Sequence, residues 1–156
     1  MQRINRSHPW MLAEVYRIAQ IRFGTTYDKA IHEAIESCLE SHSVVVAHPN
    51  KEKSLIAFVL VCPPTTKSSD RYGIRSLVQQ TPHEIAFCAT DVGWEGKGLA
   101  RRMLDAVLDT ALGFWLHVDV PNIRARKLYE SLGFRGVLQI PDPYGADGIL
   151  MRLWPR

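Results

Sequence analysis

Leu12, Val15, Tyr16, Ala19 and Phe23 recur at spacings of three and four, so a helix would carry them along one face. Ser7 offers its N-cap, Pro9 suits an early helical position, and Gly24 stops it. The same period returns from Thr26, with Tyr27, Ile31, Ala34, Ile35 and Cys38, and predicts a second helix. The pattern then changes. Val44-Val45-Val46 is β-branched, Pro49-Asn50-Lys51 reads as a turn, and Ser54–Cys62 is a continuous apolar run. That is the pattern of a hairpin whose second strand is buried on both faces. A short first strand is expected within Gln2–Arg6.

Residues 63–82 are irregular, with a helical turn expected around Ile74–Val78; loops this long tend to be functional or disordered. His83–Asp91 reads as a strand, followed by Val92-Gly93-Trp94-Glu95-Gly96-Lys97-Gly98 and a helix over Leu99–Leu112. Arg101, Asp105 and Asp109 form the polar stripe of that helix; Met103, Leu104, Val107, Leu108 and Ala111 face inward. Phe114–Val120 alternates, with Phe114, Leu116, Val118 and Val120 on one face and Trp115, His117 and Asp119 on the other. Asn122 can cap a short helix bearing Ala125, Leu128, Tyr129 and Leu132, which Gly133 ends. Strands over Val137–Ile140 and Ile149–Trp154 flank the turn-rich Pro141–Gly148. This order predicts an α/β fold: one mixed sheet flanked by helices in three layers.

The 156 residues fit one domain, read as 1–156. Nineteen Lys and Arg against sixteen Asp and Glu give a formal charge of +3, but the charges are scattered. A nucleic-acid partner would call for a concentrated basic face, so none is expected. Cys38, Cys62 and Cys88 are odd in number and lack CxxC pairs, which suggests neither a disulfide framework nor a zinc site. His32-Glu33 and His83-Glu84 each lack the second His of a zinc-protease motif. No metal is therefore expected. No apolar stretch follows the basic residues near Met1, and the longest apolar run, Leu55–Cys62, is far short of a membrane span. The chain reads as a reduced, cytoplasmic protein, monomeric or homodimeric.

The informative feature is the strand that feeds a Gly-rich turn opening into an amphipathic helix. The first N–H groups of a helix lack internal partners and sit at the positive end of its dipole, so an anion docks there. Gly96 and Gly98 place no side chain between that backbone and a phosphate. Lys97, Arg101 and Arg102 add positive charge. A pyrophosphate is the natural guest. The glycines do not follow the GxGxxG order of a dinucleotide fingerprint, and a Walker A loop fails at Asp91 and Gly98. A Gly-rich turn that binds nothing is the plain alternative.

Glu95-Gly96-Lys97-Gly98-Leu99-Ala100 resembles the Gln/Arg-x-x-Gly-x-Gly/Ala signature of the GNAT superfamily of acetyl-CoA-dependent N-acetyltransferases. Asn122, followed by Tyr129-Glu130-Ser131-Leu132-Gly133-Phe134, is similar to that family's second hallmark. His83-Glu84-Ile85-Ala86-Phe87-Cys88-Ala89 is similar to the strand that carries a Glu general base in the histone-acetylating branch. The resemblance covers about residues 83–135. It implies a three-layer α/β/α fold with a mixed, mostly antiparallel sheet and acetyl-CoA as co-substrate. It also implies a donor site drawn from Cys88, Ala89, Thr90, Glu95, Gly96, Lys97, Gly98, Leu99, Ala100, Asn122 and Tyr129. The strands His83–Asp91 and Phe114–Val120 would flank the cofactor. Two departures stand out. Glu95 replaces Gln or Arg, and a carboxylate beside a pyrophosphate is repulsive unless it points away; Val92 replaces the usual Pro.

Acyl transfer to an amine needs a neutral amine, and an amine of pKa about 10.4 is almost wholly protonated at pH 7. A general base is therefore useful. Glu84 is the candidate, with His83 and His117 as alternates. Tyr129 is the candidate acid, since a phenol stays protonated and can donate to a departing thiolate; each of these residues also has an ordinary structural reading. The resemblance implies an oxyanion donor among the N–H groups near Cys88–Thr90. Cys88 as an acyl-carrying nucleophile is disfavoured for want of a basic partner. Asp142, Tyr144 and Asp147 in the last turn would attract a cationic acceptor. The expected acceptor is a small-molecule or peptide amine; a silent acyl-CoA-binding module is the alternative.

Overall fold

β-branched and apolar residues dominate Val44–Ala47 and Ala57–Cys62, and both segments are strands whose residues are nearly all buried, as pleated surfaces covered on both faces require. The computed structural model describes residues 1–25, 28–41, 43–48, 53–64, 69–70, 72–141 and 147–156. Its strands are β1 (Gln2–Ile4), β2 (Val44–Ala47), β3 (Ala57–Cys62), β4 (His83–Thr90), β5 (Phe114–Asp119), β6 (Arg135–Ile140) and β7 (Gly148–Leu153). Its helices are α1 (Pro9–Phe23), α2 (Asp28–Glu40), α3 (Leu99–Val107) and α4 (Ile123–Ser131). The strands form one seven-stranded sheet in the order β1-β2-β3-β4-β5-β7-β6. β4 and β5 run parallel, while β1–β2, β2–β3, β5–β7 and β6–β7 run antiparallel. The fold is the mixed sheet with helices that the element order predicts. The expected turn at 49–51 and the start of the second helix at 26–27 lie outside the described residues.

Two compact units divide the chain. The first comprises Met1–Cys62 and Ala86–Val107. Its core joins Val15 and Ile18 of α1, Ile35 and Cys38 of α2, Val44 and Val46 of β2, and Phe58 and Leu60 of β3, all fully buried. Truncating a side chain such as Phe58 would cost about 3–5 kcal/mol. α1 starts one residue later than expected: His8, not Ser7, holds the N-cap position, while Ser7 bonds to the Asn5 side chain instead. The helix ends at Gly24, whose φ of 66° is left-handed.

The second unit comprises Pro63–Ile85 and Leu108–Arg156. Ile74, Val78, Trp115, Ile140 and Leu150 form its core. Trp115 is only 2% exposed, although alternation put it on the more polar face of β5. Tyr72 packs edge-on against it, with ring centroids 6.3 Å apart, so both faces of the strand are covered there. The expected turn around Ile74–Val78 forms, with the Val78 N–H donating to the Ile74 carbonyl at 3.2 Å.

α3 stops at Val107 rather than at Leu112. Asp109 explains the difference: its Oδ1 accepts the Ala111 N–H at 2.8 Å, and its carbonyl accepts the Leu112 N–H at 3.0 Å. An Asp that offers the backbone such a local partner competes with helix. Met103 and Leu104 are buried as expected, whereas Ala111 is exposed.

Candidate active site

In the first unit, β4 ends where the Asp91 N–H donates to the Ile56 carbonyl at 2.8 Å. A tight turn follows, closed by the Trp94 N–H on the Asp91 carbonyl at 3.1 Å. Residues 92–98 are exposed, and Gly96 and Gly98 both take φ of 73°, a conformation that side chains resist. The Arg102 N–H donates to the Gly98 carbonyl at 3.1 Å, so the intrahelical bonds of α3 begin there. The Leu99, Ala100 and Arg101 N–H groups precede the first such bond, as an anion site at a helix N-terminus requires. Lys97 stands over the Trp94 ring, 5.2 Å from its centroid.

Two arginines of α1 hold this turn. Arg17 forks onto the Asp91 carboxylate at 3.2 and 2.8 Å and also bonds Glu14 at 2.6 and 3.1 Å. Glu14 in turn accepts the Leu55 N–H at 3.2 Å. Hydrogen bonds from Arg17 hold both carboxyls below the usual carboxylate range, and their company raises Arg17 itself. Arg22 donates from Nε to the Thr90 carbonyl at 2.6 Å and from Nη2 to Glu95 Oε1. The other oxygen of Glu95 accepts the Gly93 N–H at 2.9 Å. The carboxylate that breaks the Gln/Arg pattern is therefore ion-paired and hydrogen-bonded within the turn. Neither arginine was singled out from the sequence, because each lies more than seventy residues from the turn carboxylate it pairs with; the misplaced charge of Glu95 was the available signal.

Burial pushes the Cys88 thiol up to about 12, so it is not a thiolate at neutral pH. Among the described residues, no group of three or more His, Cys, Asp or Glu is arranged to hold a metal ion. No helix among them is long and apolar enough to cross a membrane.

In the second unit, Glu84 lies half-buried on β4, paired in register with Trp115. His117 is two residues further along β5, hence on the same face as Glu84. Its ring stacks on Tyr72, with centroids 4.8 Å apart and planes 9° from parallel. His83 tilts against Phe114 at 5.6 Å. Asn122 caps α4 as expected, its Oδ1 accepting the Ala125 N–H at 3.2 Å. Tyr129 is half-buried with its ring 5.8 Å from Phe134, and its carbonyl accepts the Phe134 N–H at 3.0 Å. Asp142 and Tyr144 lie outside the described residues, while Asp147 accepts the Val120 N–H on its carbonyl at 3.0 Å. The sequence-derived residues thus fall into two groups: Cys88–Thr90 and Glu95–Ala100 in the first unit, and Glu84, Asn122 and Tyr129 in the second.

A profile of the Acetyltransferase (GNAT) family matches residues 12–134. The chain belongs to this family. The matched span includes every site residue named above except Asp142, Tyr144 and Asp147. Over 87 residues this GNAT chain is 36% identical to the N-alpha-acetyltransferase RimI of Mycobacterium tuberculosis, a match covering 51% of the chain and 55% of that protein. The chain thus spans about half the length of this curated relative. Its fold is similar to that in the NatC complex bound to Gag peptide and CoA, with a TM-score of 0.78 at 15% identity over 98% of this chain and 96% of that one. It is also similar to Arabidopsis thaliana Naa50 in complex with the bisubstrate analogue CoA-Ac-MVNAL, with a TM-score of 0.68 at 14% identity over 97% and 95% of the two chains. At such identities the likeness is one of fold.

Proposed function

We propose that this GNAT chain, taken as one domain over 1–156, moves an acetyl group from acetyl-CoA directly to a primary amine. The observation that carries the reading is the turn before α3. Its glycines leave the backbone open, the first N–H groups of α3 precede the helix's own bonds, and the carboxylate of Glu95 is already engaged by Arg22 and Gly93. A pyrophosphate matches that arrangement. The N-terminal peptide amine is the favoured acceptor class, by analogy with the N-alpha-acetyltransferase relative and with the peptide-bearing structures of the same fold; a small-molecule amine remains the other. We read the protein as cytoplasmic, where acetyl-CoA is supplied.

In this reading Glu84 takes a proton from the incoming ammonium, directly or through a water. The amine nitrogen then attacks the thioester carbonyl, the carbon–sulfur bond breaks, Tyr129 gives its phenolic proton to the departing thiolate, and the second proton shed by the new amide nitrogen restores the phenol. N–H groups near Cys88–Thr90 would hold the oxyanion. Cys88 has no part as nucleophile, since its thiol stays protonated.

Calorimetric titration with acetyl-CoA, with ATP as comparison, tests the donor. Binding of acetyl-CoA alone is expected, followed by turnover in a screen of peptide N-termini and small amines. Absence of binding would defeat the reading. Binding without turnover on any amine would favour the silent module.

A further inference from the structure

We propose that Arg22 is a positioning residue for the acyl donor: it neutralises Glu95 and fixes the turn that receives the pyrophosphate. The inference rests on the donor site proposed above and goes beyond it, because nothing in the signature calls for a cation on α1.

Glu95 occupies the position where Gln or Arg is usual. Left alone, its charge would stand in the very turn that must accept an anion, and like charges in a small site repel. The structure shows how that repulsion is removed. One carboxylate oxygen pairs with Arg22 Nη2, and the other accepts the Gly93 N–H. Arg22 also donates to the Thr90 carbonyl, so a single planar guanidinium links the end of β4 to the turn after it. The planar fork of the guanidinium makes both contacts at fixed geometry. Arg22 itself is held in place as the basic residue of the last turn of α1, where the helix dipole favours a cation. The turn is thus tied at Thr90 and Glu95 by Arg22 and at Asp91 by Arg17.

The test compares wild type, Arg22→Ala and the double variant Arg22→Ala/Glu95→Gln with two donors, acetyl-CoA and acetylpantetheine, which carries the thioester arm without the pyrophosphate. Arg22→Ala should weaken acetyl-CoA binding by about tenfold, as loss of a charge-assisted contact implies, with kcat at saturation changed less than about threefold. Its kcat/KM for acetylpantetheine should stay near that of wild type. The double variant, which removes the uncompensated charge while keeping an oxygen for the Gly93 N–H, should recover acetyl-CoA binding to within about threefold. Equal losses with both donors, or no rescue by Glu95→Gln, would overturn the proposal.

Should wild type bind no acetyl-CoA, the donor reading itself fails, and amide hydrogen exchange of the unliganded protein decides the rest. Faster exchange across Gly93–Gly98 in Arg22→Ala would uphold the tie between α1 and the turn. Unchanged exchange would overturn it.

Discussion

Arg17 grips Asp91 with two guanidinium nitrogens across 74 residues of sequence. Arg17 depresses the pKa of both Asp91 and Glu14, and a depressed carboxyl pKa has a definite consequence for stability. The contribution is fully present above the unfolded value near 4 and is lost as pH falls through the lower folded value. Arg17→Met should therefore lose about 1–2 kcal/mol at pH 7, since it leaves two partly buried carboxylates without their main partner. The deficit should shrink as pH falls below about 4 and both carboxyls protonate. Urea denaturation at a series of pH values measures it; a deficit independent of pH would refute the linkage.

The glycine at 148 is required by a histidine. A Cβ built on Gly148 would lie 2.0 Å from His117 Nε2, and the His117 ring is itself stacked on Tyr72. Gly148→Ala should cost about 1–3 kcal/mol through overpacking. Adding His117→Ala should recover part of that loss, giving a coupling of about 1 kcal/mol in a double-mutant cycle. Gly113→Ala offers the contrast: its Cβ would meet the Gln80 carbonyl at 2.4 Å, and no side-chain truncation relieves a backbone clash.

Local signals were the legible part of this chain. The 3–4 spacing from Leu12 to Phe23 predicted α1, and Asn122 with Gly133 marked both ends of α4. The Gly-rich turn into α3 could be read because its glycines are local in sequence. Leu108–Leu112 was misread as helix because a periodic apolar stripe continues through it while Asp109 captures the Ala111 N–H. Burial of Trp115 under Tyr72 was out of reach, since strand alternation says nothing of what covers a face. The clasp of Arg17 and Arg22 was equally hidden: a long-range ion pair has no spacing rule, and only the charge of Glu95 pointed toward one.

Asn122 has a structural duty that can be measured apart from catalysis. Its side chain satisfies the Ala125 N–H at the start of α4. Asn122→Ala should destabilise by about 1 kcal/mol, while Asn122→Asp, which keeps the accepting oxygen, should stay within about 0.5 kcal/mol of wild type. Thermal unfolding without ligand reads the difference, and equal effects of the two substitutions would remove the cap as the cause.

Cys88 should be inert. With its thiol pushed up to about 12, the thiolate fraction at pH 7.5 is minute, and alkylation should run more than about a hundredfold slower than for free cysteine. Intact-mass measurement after incubation with acetyl-CoA should show no acetyl group on Cys88. A stable acetyl-enzyme at this residue would replace direct transfer with a two-step route.

Tyr129 and Glu84 separate the two proton transfers of the proposed reaction. Tyr129→Phe keeps the ring that packs against Phe134 and removes only the hydroxyl, so folding should be preserved while kcat falls about 10²-fold or more. Acetyl-CoA affinity should change far less than kcat, because the phenol's proton is needed only as the thiolate departs. Glu84→Gln should likewise lower the rate by about 10²-fold near neutral pH. A general base also predicts that raising the pH toward the acceptor's own pKa narrows the deficit of the Gln variant, since the amine then arrives already neutral. No such narrowing is expected for Tyr129→Phe, whose defect lies in protonating the leaving group. Rate profiles of both variants against pH, with a single amine acceptor, distinguish the roles. If the Glu84→Gln deficit were constant while the His117→Ala deficit narrowed, the base would be His117, which shares its face of the sheet.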